Sequence, residues 1–238
     1  MTNTNKYRFF LLQMLKDVFS DIELSNYLGL KGETALMLFD NLPRISIDVD
    51  FNLLDHNKEK IVLEKLKNIL MKYENIFDLA IIFFDQLISI SRGRENKKMK
   101  VEISKFEYAN NYEIKSLLGI SMPVLTVPDI LSHKLCDFSD NFAINRNIFD
   151  SWFLMKKHTP LDRIIIETRT KMQLSDYLQK CINKLENMHD KDLLEEMEEL
   201  VDDRMKNFIA EKLLNETIEL LKTYKNSPKL VHYGMLPF

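Results

Sequence analysis

Two aspartates one residue apart, Asp48 and Asp50, have the types and spacing to do chemistry. They lie in an alternating run of apolar and polar residues from Ile45 to Phe51. Because side chains alternate between the two faces of a strand, we expect both carboxylates on one face and the apolar residues on the other. Neighbouring like charges repel unless a cation lies between them, and carboxylate oxygens are ligands for hard divalent cations such as Mg²⁺. The competing interpretation is an edge strand that shows two acids to water.

A glycine turn precedes this strand and begins a helix. Gly29 and Gly32 bracket the turn and Thr34 follows it, in a chain that has only five glycines. Such a turn lets backbone N–H groups approach a phosphate, and the helix N-terminus adds about half a positive charge. The Thr34 hydroxyl is a further candidate donor to the same anion. Many tight turns before helices have this composition, so the turn alone is a weak indication.

A third acid, Glu102, lies in a β-patterned run from Lys98 to Ser104 and points away from the apolar face of that run. If this run pairs with the Asp-x-Asp strand, three carboxylates converge and hold two Mg²⁺ ions roughly 3.5 to 4 Å apart, an arrangement used for phosphoryl transfer. The alternative is a salt bridge from Glu102 to Lys98 or Lys100.

Lys134 and Asp150 are the candidates in the second half of the chain. Lys134 lies in a helix that begins near Pro128, where an ammonium group neutralises triphosphate oxygens if the helix faces the nucleotide. Asp150 lies beside Phe149 and Trp152, so we expect this acid to be either paired or functional. A salt bridge between Lys134 and Asp150 is the structural alternative.

The most basic local segment is a candidate surface for the phosphate backbone of RNA. Its cations are Arg92, Arg94, Lys97, Lys98 and Lys100. A solvated hairpin tip is the alternative interpretation.

The hydrophobic periodicity predicts a mixed α/β half followed by a helical half. Helices are predicted over 7–19, 35–39, 57–72, 128–139, 145–158, 160–172, 174–188 and 203–224, and strands over 27–30, 45–51, 76–84, 87–91 and 99–106. A short tail follows from residue 227. We therefore predict domains at 1–125 and 126–238, packed against each other.

Composition bounds the class of protein. The chain has 238 residues, 45% of them hydrophobic, and a net charge of -3, so a folded core is expected and bulk attraction to nucleic acid is not. Neither an export signal nor a membrane-spanning run is evident, and Cys136 and Cys181 lack zinc-site spacing, which favours a cytoplasmic protein with reduced thiols. The histidines and glycines also show no zinc-hydrolase, nucleophile-elbow, Walker or dinucleotide pattern.

The assembled pattern resembles the signature of the AbiEii/AbiGii abortive-infection toxin family, within the DNA polymerase β-like nucleotidyltransferase superfamily. That signature runs Lys-Gly-Gly-Thr-Ala-Leu, a short helix, then Leu-x-Arg-x-Ser-x-Asp-hydrophobic-Asp. Residues 31–36 here read Lys-Gly-Glu-Thr-Ala-Leu, and residues 42–50 read Leu-Pro-Arg-Ile-Ser-Ile-Asp-Val-Asp. Glu102, Lys134 and the segment from Arg146 to Asp150 match later elements, so the resemblance covers residues 25 to 155.

The resemblance implies an α+β fold, in which a nucleotidyltransferase-fold half with a mixed, twisted sheet flanked by helices precedes an α-helical half. It also implies a bacterial toxin, with an antitoxin partner, that moves a nucleoside monophosphate from an NTP to an acceptor, with RNA such as a tRNA 3′ end as the first choice. Its implied residues are Asp48, Asp50 and Glu102 for two Mg²⁺ ions; Lys31, Gly32, Thr34, Arg44 and Lys134 for the nucleotide; and Asp48, Asp50, Glu102, Lys134 and Asp150 for catalysis. Arg44 is expected either to brace the turn or to contact phosphate.

Two positions depart from the signature. Glu33 replaces the second glycine of the turn, and its charge repels a triphosphate by on the order of 1 to 4 kcal/mol at about 4 Å unless the side chain turns outward. Asn147 stands where relatives often carry an aspartate. A catalytically weakened module that binds RNA or protein therefore stays open as an alternative, as does a small-molecule modifier of the aminoglycoside-transferase type.

Overall fold

The computed structural model describes residues 3–46, 48–77, 79–84, 87–92, 100–105, 110–139, 144–189, 193–194 and 197–232. The chain divides into two compact units. The first comprises Met1–Asn41, Ile45–Glu107 and Tyr112–Leu125, and the second comprises Leu42–Arg44, Tyr108–Asn111 and Thr126–Phe238.

The first unit is a mixed sheet with helices, which confirms the α+β class. Its helices are α1 Asn3–Ser20, α2 Ile22–Tyr27, α3 Gly32–Phe39 and α4 Glu59–Phe77; its strands are β1 Leu28–Lys31, β2 Asp48–Leu53, β3 Leu79–Phe84, β4 Leu87–Arg92, β5 Lys100–Ser104, β6 Tyr112–Leu117 and β7 Ile120–Leu125. The strand order is β3-β4-β5-β2-β1-β7-β6. Strand β2 lies between an antiparallel neighbour, β1, and a parallel neighbour, β5, so the Asp-x-Asp residues lie well inside the sheet.

The core of this unit forms where the sequence alternation and helical periodicity predicted it. Val49 and Phe51 of β2 are fully buried, and the Phe51 ring meets Phe19 edge-on, with 5.8 Å between centroids. The helix α4 buries apolar residues at helical spacing, with Val62 and Leu66 wholly inaccessible. Burial of these side chains anchors one face of β2 and leaves its other face for polar groups.

Two elements of the first unit were missed by the sequence reading. The short helix α2 is capped by Asp21, whose carboxylate accepts from the backbone N–H groups of Glu23 and Leu24. The β6–β7 hairpin turns at Leu118 and Gly119, both at positive φ (53° and 78°). A hairpin turn of this kind normally carries Asn or Gly at its first position, so the leucine concealed it.

The second unit is predominantly helical. Its elements are α5 Val127–Cys136, α6 Ile144–Lys156, α7 Arg163–Thr170, α8 Leu174–Glu186, α9 Asp203–Glu211 and α10 Leu213–Asn226, with a parallel pair of short strands, β8 Leu161–Asp162 and β9 Val231–His232. The prediction of one helix over 203–224 was wrong, because the backbone leaves the helical region at Lys212 (φ -136°, ψ -26°). Neither glycine nor proline marks this break. Strand β9 lies within the predicted tail.

Both cysteines, Cys136 and Cys181, are buried free thiols. Burial raises the pKa of Cys181 to about 12, so its thiol stays protonated at neutral pH. Among the residues that the structure describes, no helix combines the length and apolar character that crossing a bilayer requires.

Candidate functional site

The pairing of β2 with β5 brings predicted acids side by side. In this parallel pair Asp50 is the register partner of Glu102, and Asp48 is the partner of Lys100. Residues directly opposite each other on paired strands point to the same face of a sheet. The neighbouring position of the two runs, on which the carboxylate prediction depended, is therefore present, and all three acids lie on one face.

Lys31 brings a positive charge to the same face. On the other side of β2, Lys31 is the register partner of Asp50. Its ammonium group donates a hydrogen bond to the Ser104 hydroxyl on β5, at 3.0 Å. Because β2 lies between β1 and β5, the Lys31 side chain must cross over β2 on the face that carries the acids.

Gly32 allows the carboxylate of Asp50 to lie against the glycine turn. Its φ is +70°, where side chains are disfavoured, and a Cβ placed on it would lie 2.7 Å from Oδ2 of Asp50. Gly32 begins α3, so the acid lies beside a helix N-terminus, whose partial positive charge favours an anion. Glycine is thus required for both its backbone angle and its small size.

A buried network of hydroxyls holds the start of β2. Thr34 donates to the backbone carbonyl of Asp48 at 2.5 Å, and its oxygen lies 2.7 Å from the Ser46 hydroxyl. Ser46 in turn lies 3.0 Å from the same carbonyl. Thr34 and Ser46 have no exposed surface. These bonds give Thr34 a positioning role towards Asp48, and its donation to a phosphate stays a prediction.

Glu33 does not turn outward. It is buried, with 6% of its surface exposed, and its carboxylate accepts a hydrogen bond from Ser46 at 3.2 Å. This hydrogen bond offsets part of the cost of burying the carboxyl group. The structure thus places the carboxyl group of Glu33 within the hydroxyl network, a position that the sequence did not predict. The signal was present, because Ser46 lies on the same predicted strand face as the two aspartates.

The second unit contains a buried cluster of two cations and one acid. Asp150 accepts a bidentate pair of bonds from Arg44, with both N–O distances at 2.6 Å, and it also pairs with the Lys134 ammonium at 2.6 Å. The Arg44 and Asp150 side chains have no exposure, and that of Lys134 has 10%. Lys134 also donates to the side-chain oxygen of Asn147, at 3.2 Å.

The two cations of this cluster favour the charged form of Asp150. Burial alone raises the pKa of Asp150, but the charges of Arg44 and Lys134 outweigh it and hold that pKa below its ordinary value. The salt bridge between α5 and α6 that the sequence offered as an alternative is present. The bonds described for Arg44 hold Asp150, and the two roles expected for Arg44, bracing the turn or contacting phosphate, stay predictions.

The acids fit Mg²⁺ in chemistry more clearly than in geometry. Carboxylates on a common sheet face are suitable ligands, and Asp50 and Glu102 are direct neighbours. Within the described ranges, however, no three His, Cys, Asp or Glu side chains are gathered closely enough to hold a metal ion. Mg²⁺ commonly takes one or two carboxylates and completes its shell with substrate phosphates and water. Asp48, Asp50 and Glu102 fit such an incomplete protein site.

The basic segment is only partly described. Arg92 ends β4 and Lys100 begins β5, and these two strands are antiparallel neighbours, as the predicted hairpin requires. Arg94, Lys97 and Lys98 lie outside the described residues. An RNA contact at this segment stays a prediction.

Comparison with known proteins adds a family and a fold. A family model described as nucleotidyl transferase AbiEii toxin, type IV toxin–antitoxin system, matches residues 13–224. No curated protein matches the chain. The fold resembles that of JHP933 from Helicobacter pylori (19% identity, TM-score 0.54, 95% of each chain covered). It also resembles an H. pylori protein described as a candidate nucleotidyltransferase (20% identity, TM-score 0.55, 98% of this chain and 100% of the other covered).

Proposed function

The chain belongs to the nucleotidyl transferase AbiEii toxin family of type IV toxin–antitoxin systems and is a nucleotidyltransferase, and from this premise we propose that it uses Mg²⁺ and an NTP to modify RNA. An acceptor hydroxyl attacks the α-phosphorus of the NTP, the bond from that phosphorus to the bridging oxygen breaks, and pyrophosphate leaves. The hydroxyl proton passes to a carboxylate of the site. The acceptor in this proposal is an RNA end, such as that of tRNA.

The observation that carries the proposal is the parallel pairing of β2 with β5. It makes Asp50 and Glu102 neighbours on one sheet face, two residues along from Asp48. Like-charged neighbours on a strand pair are destabilising unless a positive group balances them. Lys31 lies on this face as one such positive group, and a bound divalent cation is suited to be another.

In this proposal Asp48, Asp50 and Glu102 are the residues that hold Mg²⁺. The metal supplies charge stabilisation for the phosphoryl oxygens when it is bound. The protein's own contribution is to fix the acids: Gly32 leaves room for Asp50, and the Thr34–Ser46 network holds the carbonyl of Asp48.

The cations of the site have two proposed roles: some contact the nucleotide and others position those that do. We assign Lys31 and Lys134 to the nucleotide phosphates, because a flexible ammonium group is a suited point charge for phosphate. Asp150 orients the Lys134 ammonium and Arg44 holds Asp150, so these two are positioning residues. Arg44 and Lys134 bring two positive charges to this cluster, and positive charge suits an anionic ligand.

The acceptor is tested by supplying each NTP labelled at the α-phosphate, with Mg²⁺, to bulk tRNA, to single-stranded DNA and to aminoglycosides. We expect label on tRNA. Label on the drug alone would contradict the RNA proposal, and so would label on DNA alone. The toxin role is tested in parallel: expression of the chain arrests bacterial growth, and Asp48→Ala relieves the arrest.

A second candidate function is a binding module without turnover, and the carboxyl group of Glu33 on the first turn of α3 favours it. If that group prevents nucleotide binding, Glu33→Gly raises the NTP affinity that calorimetry measures. The unaltered protein then binds RNA but transfers no nucleotide. Transfer by the unaltered protein eliminates this candidate.

A further inference from the structure

Asn52 extends the polar face of β2 beyond the two aspartates. It follows Asp50 by two residues on the strand, so its side chain lies on the same face. At roughly 3.3 Å of rise per residue, its Cα lies about 6 to 7 Å beyond that of Asp50. The residue is nevertheless 98% buried, with only 2% of its surface exposed.

The side-chain oxygen of Asn52 has no hydrogen-bond partner in the described part of the chain. The amide nitrogen donates to the Tyr112 hydroxyl at 2.6 Å, while Oδ1 accepts nothing. Folded proteins rarely leave a buried polar atom unpaired, because its lost hydration is not replaced. The bond to Tyr112 fixes the amide and leaves its oxygen as an acceptor for a group that none of the described residues provides.

The two strands beside Asn52 are shaped around it. Its register partner on β1 is Gly29, where a Cβ would lie 2.4 Å from Cε1 of Tyr112. The φ of Gly29 is not in the left-handed region. The glycine is therefore needed here for its small size, which makes room for the tyrosine ring. On β5 the register partner is Ser104, which accepts the Lys31 bond that crosses β2. Asn52 thus lies between an aromatic ring and a hydroxyl–ammonium pair.

An unpaired acceptor selects a ligand that donates. An NTP offers ribose hydroxyls, which all four ribonucleotides share, and base N–H groups, which differ between bases. The sugar is the group attached directly to the α-phosphate, and Asn52 is the next residue on this face after Asp50. The neighbouring position therefore favours the sugar over the more distant base.

We propose that Oδ1 of Asn52 accepts a hydrogen bond from a ribose hydroxyl of the bound NTP and so selects ribonucleotides over deoxyribonucleotides. This rests on the proposed function, which places the nucleotide at Asp48 and Asp50. Phosphate oxygens are stronger partners for an ammonium group than a neutral hydroxyl is. The triphosphate therefore draws Lys31 away from Ser104, the register partner of Asn52, as it binds.

The test is calorimetric titration of the full chain with each Mg-NTP and its 2′-deoxy counterpart, without RNA. We expect the unaltered protein to bind the ribonucleotide at least about tenfold more tightly, the worth of one good hydrogen bond. Asn52→Leu, which has similar size and no acceptor, is expected to bind both forms equally. Tyr112→Phe frees the amide to rotate, and it is expected to bring the affinities for the ribonucleotide and its 2′-deoxy counterpart closer together. Ser151→Ala removes the other buried side-chain oxygen that has no partner among the described residues, and it is expected to leave the ratio of the two affinities unchanged.

The outcomes separate this inference from the proposed function. A folded, unaltered protein that binds no NTP refutes the proposed function and this inference with it. Equal binding of NTP and dNTP by the unaltered protein, or discrimination retained by Asn52→Leu, overturns the inference alone. If Asn52→Leu does not fold, an unchanged ratio in Tyr112→Phe overturns it.

An RNA end is the other possible source of a ribose hydroxyl, and a second arm distinguishes it. RNA and DNA oligonucleotides of one sequence are titrated into the unaltered protein and Asn52→Leu. We expect the preference for RNA over DNA to be the same in both. A loss of that preference, with the nucleotide ratio unchanged, would assign Asn52 to the acceptor and overturn the proposal.

Discussion

Asp150 carries its charge without any exposed surface because two cations donate to it. Removing the acid from this cluster changes its buried charge differently from removing one of the two cations. Loss of Asp150 leaves Arg44 and Lys134 buried side by side, whereas loss of Lys134 leaves the Arg44–Asp150 pair neutral. We therefore expect loss of Asp150 to affect stability most, and loss of Lys134 to affect activity most.

We expect Asp150→Ala to lower the free energy of unfolding by about 3 to 5 kcal/mol, because breaking a buried pair leaves uncompensated charge. Lys134→Met is expected to cost clearly less, while it weakens NTP binding. Urea denaturation measures the first quantity and calorimetry the second. Equal loss of stability in the two variants would show that the charge balance of the cluster is not what matters.

Acid pH provides an independent check on the same residue. The pKa of Asp150 is lower in the folded chain than its ordinary value, so its contribution to stability is complete above about pH 4 and is lost as pH falls further. We expect the free energy of unfolding to fall more steeply between pH 5 and pH 3 in the unaltered protein than in Asp150→Asn. Other acids with lowered pKa, such as Asp21, are common to both proteins and cancel. Parallel slopes would contradict the charged state of Asp150.

At the scale of elements, the turn from β1 into α3 and the strand β2 act together. Gly32 borders Asp50, and Thr34 on the first turn of α3 holds the carbonyl of Asp48. The strand therefore receives its two acids already oriented by the preceding helix. A change in the turn should reach the acids without touching them directly.

Gly32→Ala tests this coupling, with Gly119→Ala as its matched control. Both glycines have positive φ, so both substitutions carry a backbone cost of about 1 to 2 kcal/mol. Only at Gly32 does the new methyl group meet Asp50, because nothing lies within 4 Å of a Cβ at Gly119. We expect nucleotide transfer to fall at least about tenfold in Gly32→Ala and to stay near normal in Gly119→Ala. Similar transfer rates in the two variants would contradict the claim that a methyl group at position 32 displaces Asp50.

At the scale of the whole molecule, features set by a few neighbouring residues were easier to predict from the sequence than pairings between distant residues. Alternation in residues 45–51 and the period of α4 gave the buried faces, because each signal is contained in a few neighbouring residues. The pair Arg44–Asp150 joins positions 106 residues apart, and no local pattern reports it. The break at Lys212 was also hidden, since the amphipathic pattern continues through it.

The site was predictable in part for the same reason. The acids on β2 and β5 were identified from their own strands, and their neighbouring position depended on a condition that the pairing of the strands satisfies. The partners of Thr34, Glu33 and Arg44 were not predicted, because only folding brings Ser46 and Asp150 near them.

The most direct test of the account is the rate of transfer of α-labelled NTP to tRNA by the unaltered protein, Asp50→Asn and Glu102→Gln, with Mg²⁺ present. Glu113→Gln, at an exposed acid of β6, is the control. We expect a loss of at least about a hundredfold for the two site variants, the scale at which charge-stabilising groups act, and a normal rate for the control. Transfer at the unaltered rate by Asp50→Asn or Glu102→Gln would contradict the claim that this pair of neighbouring acids performs the chemistry.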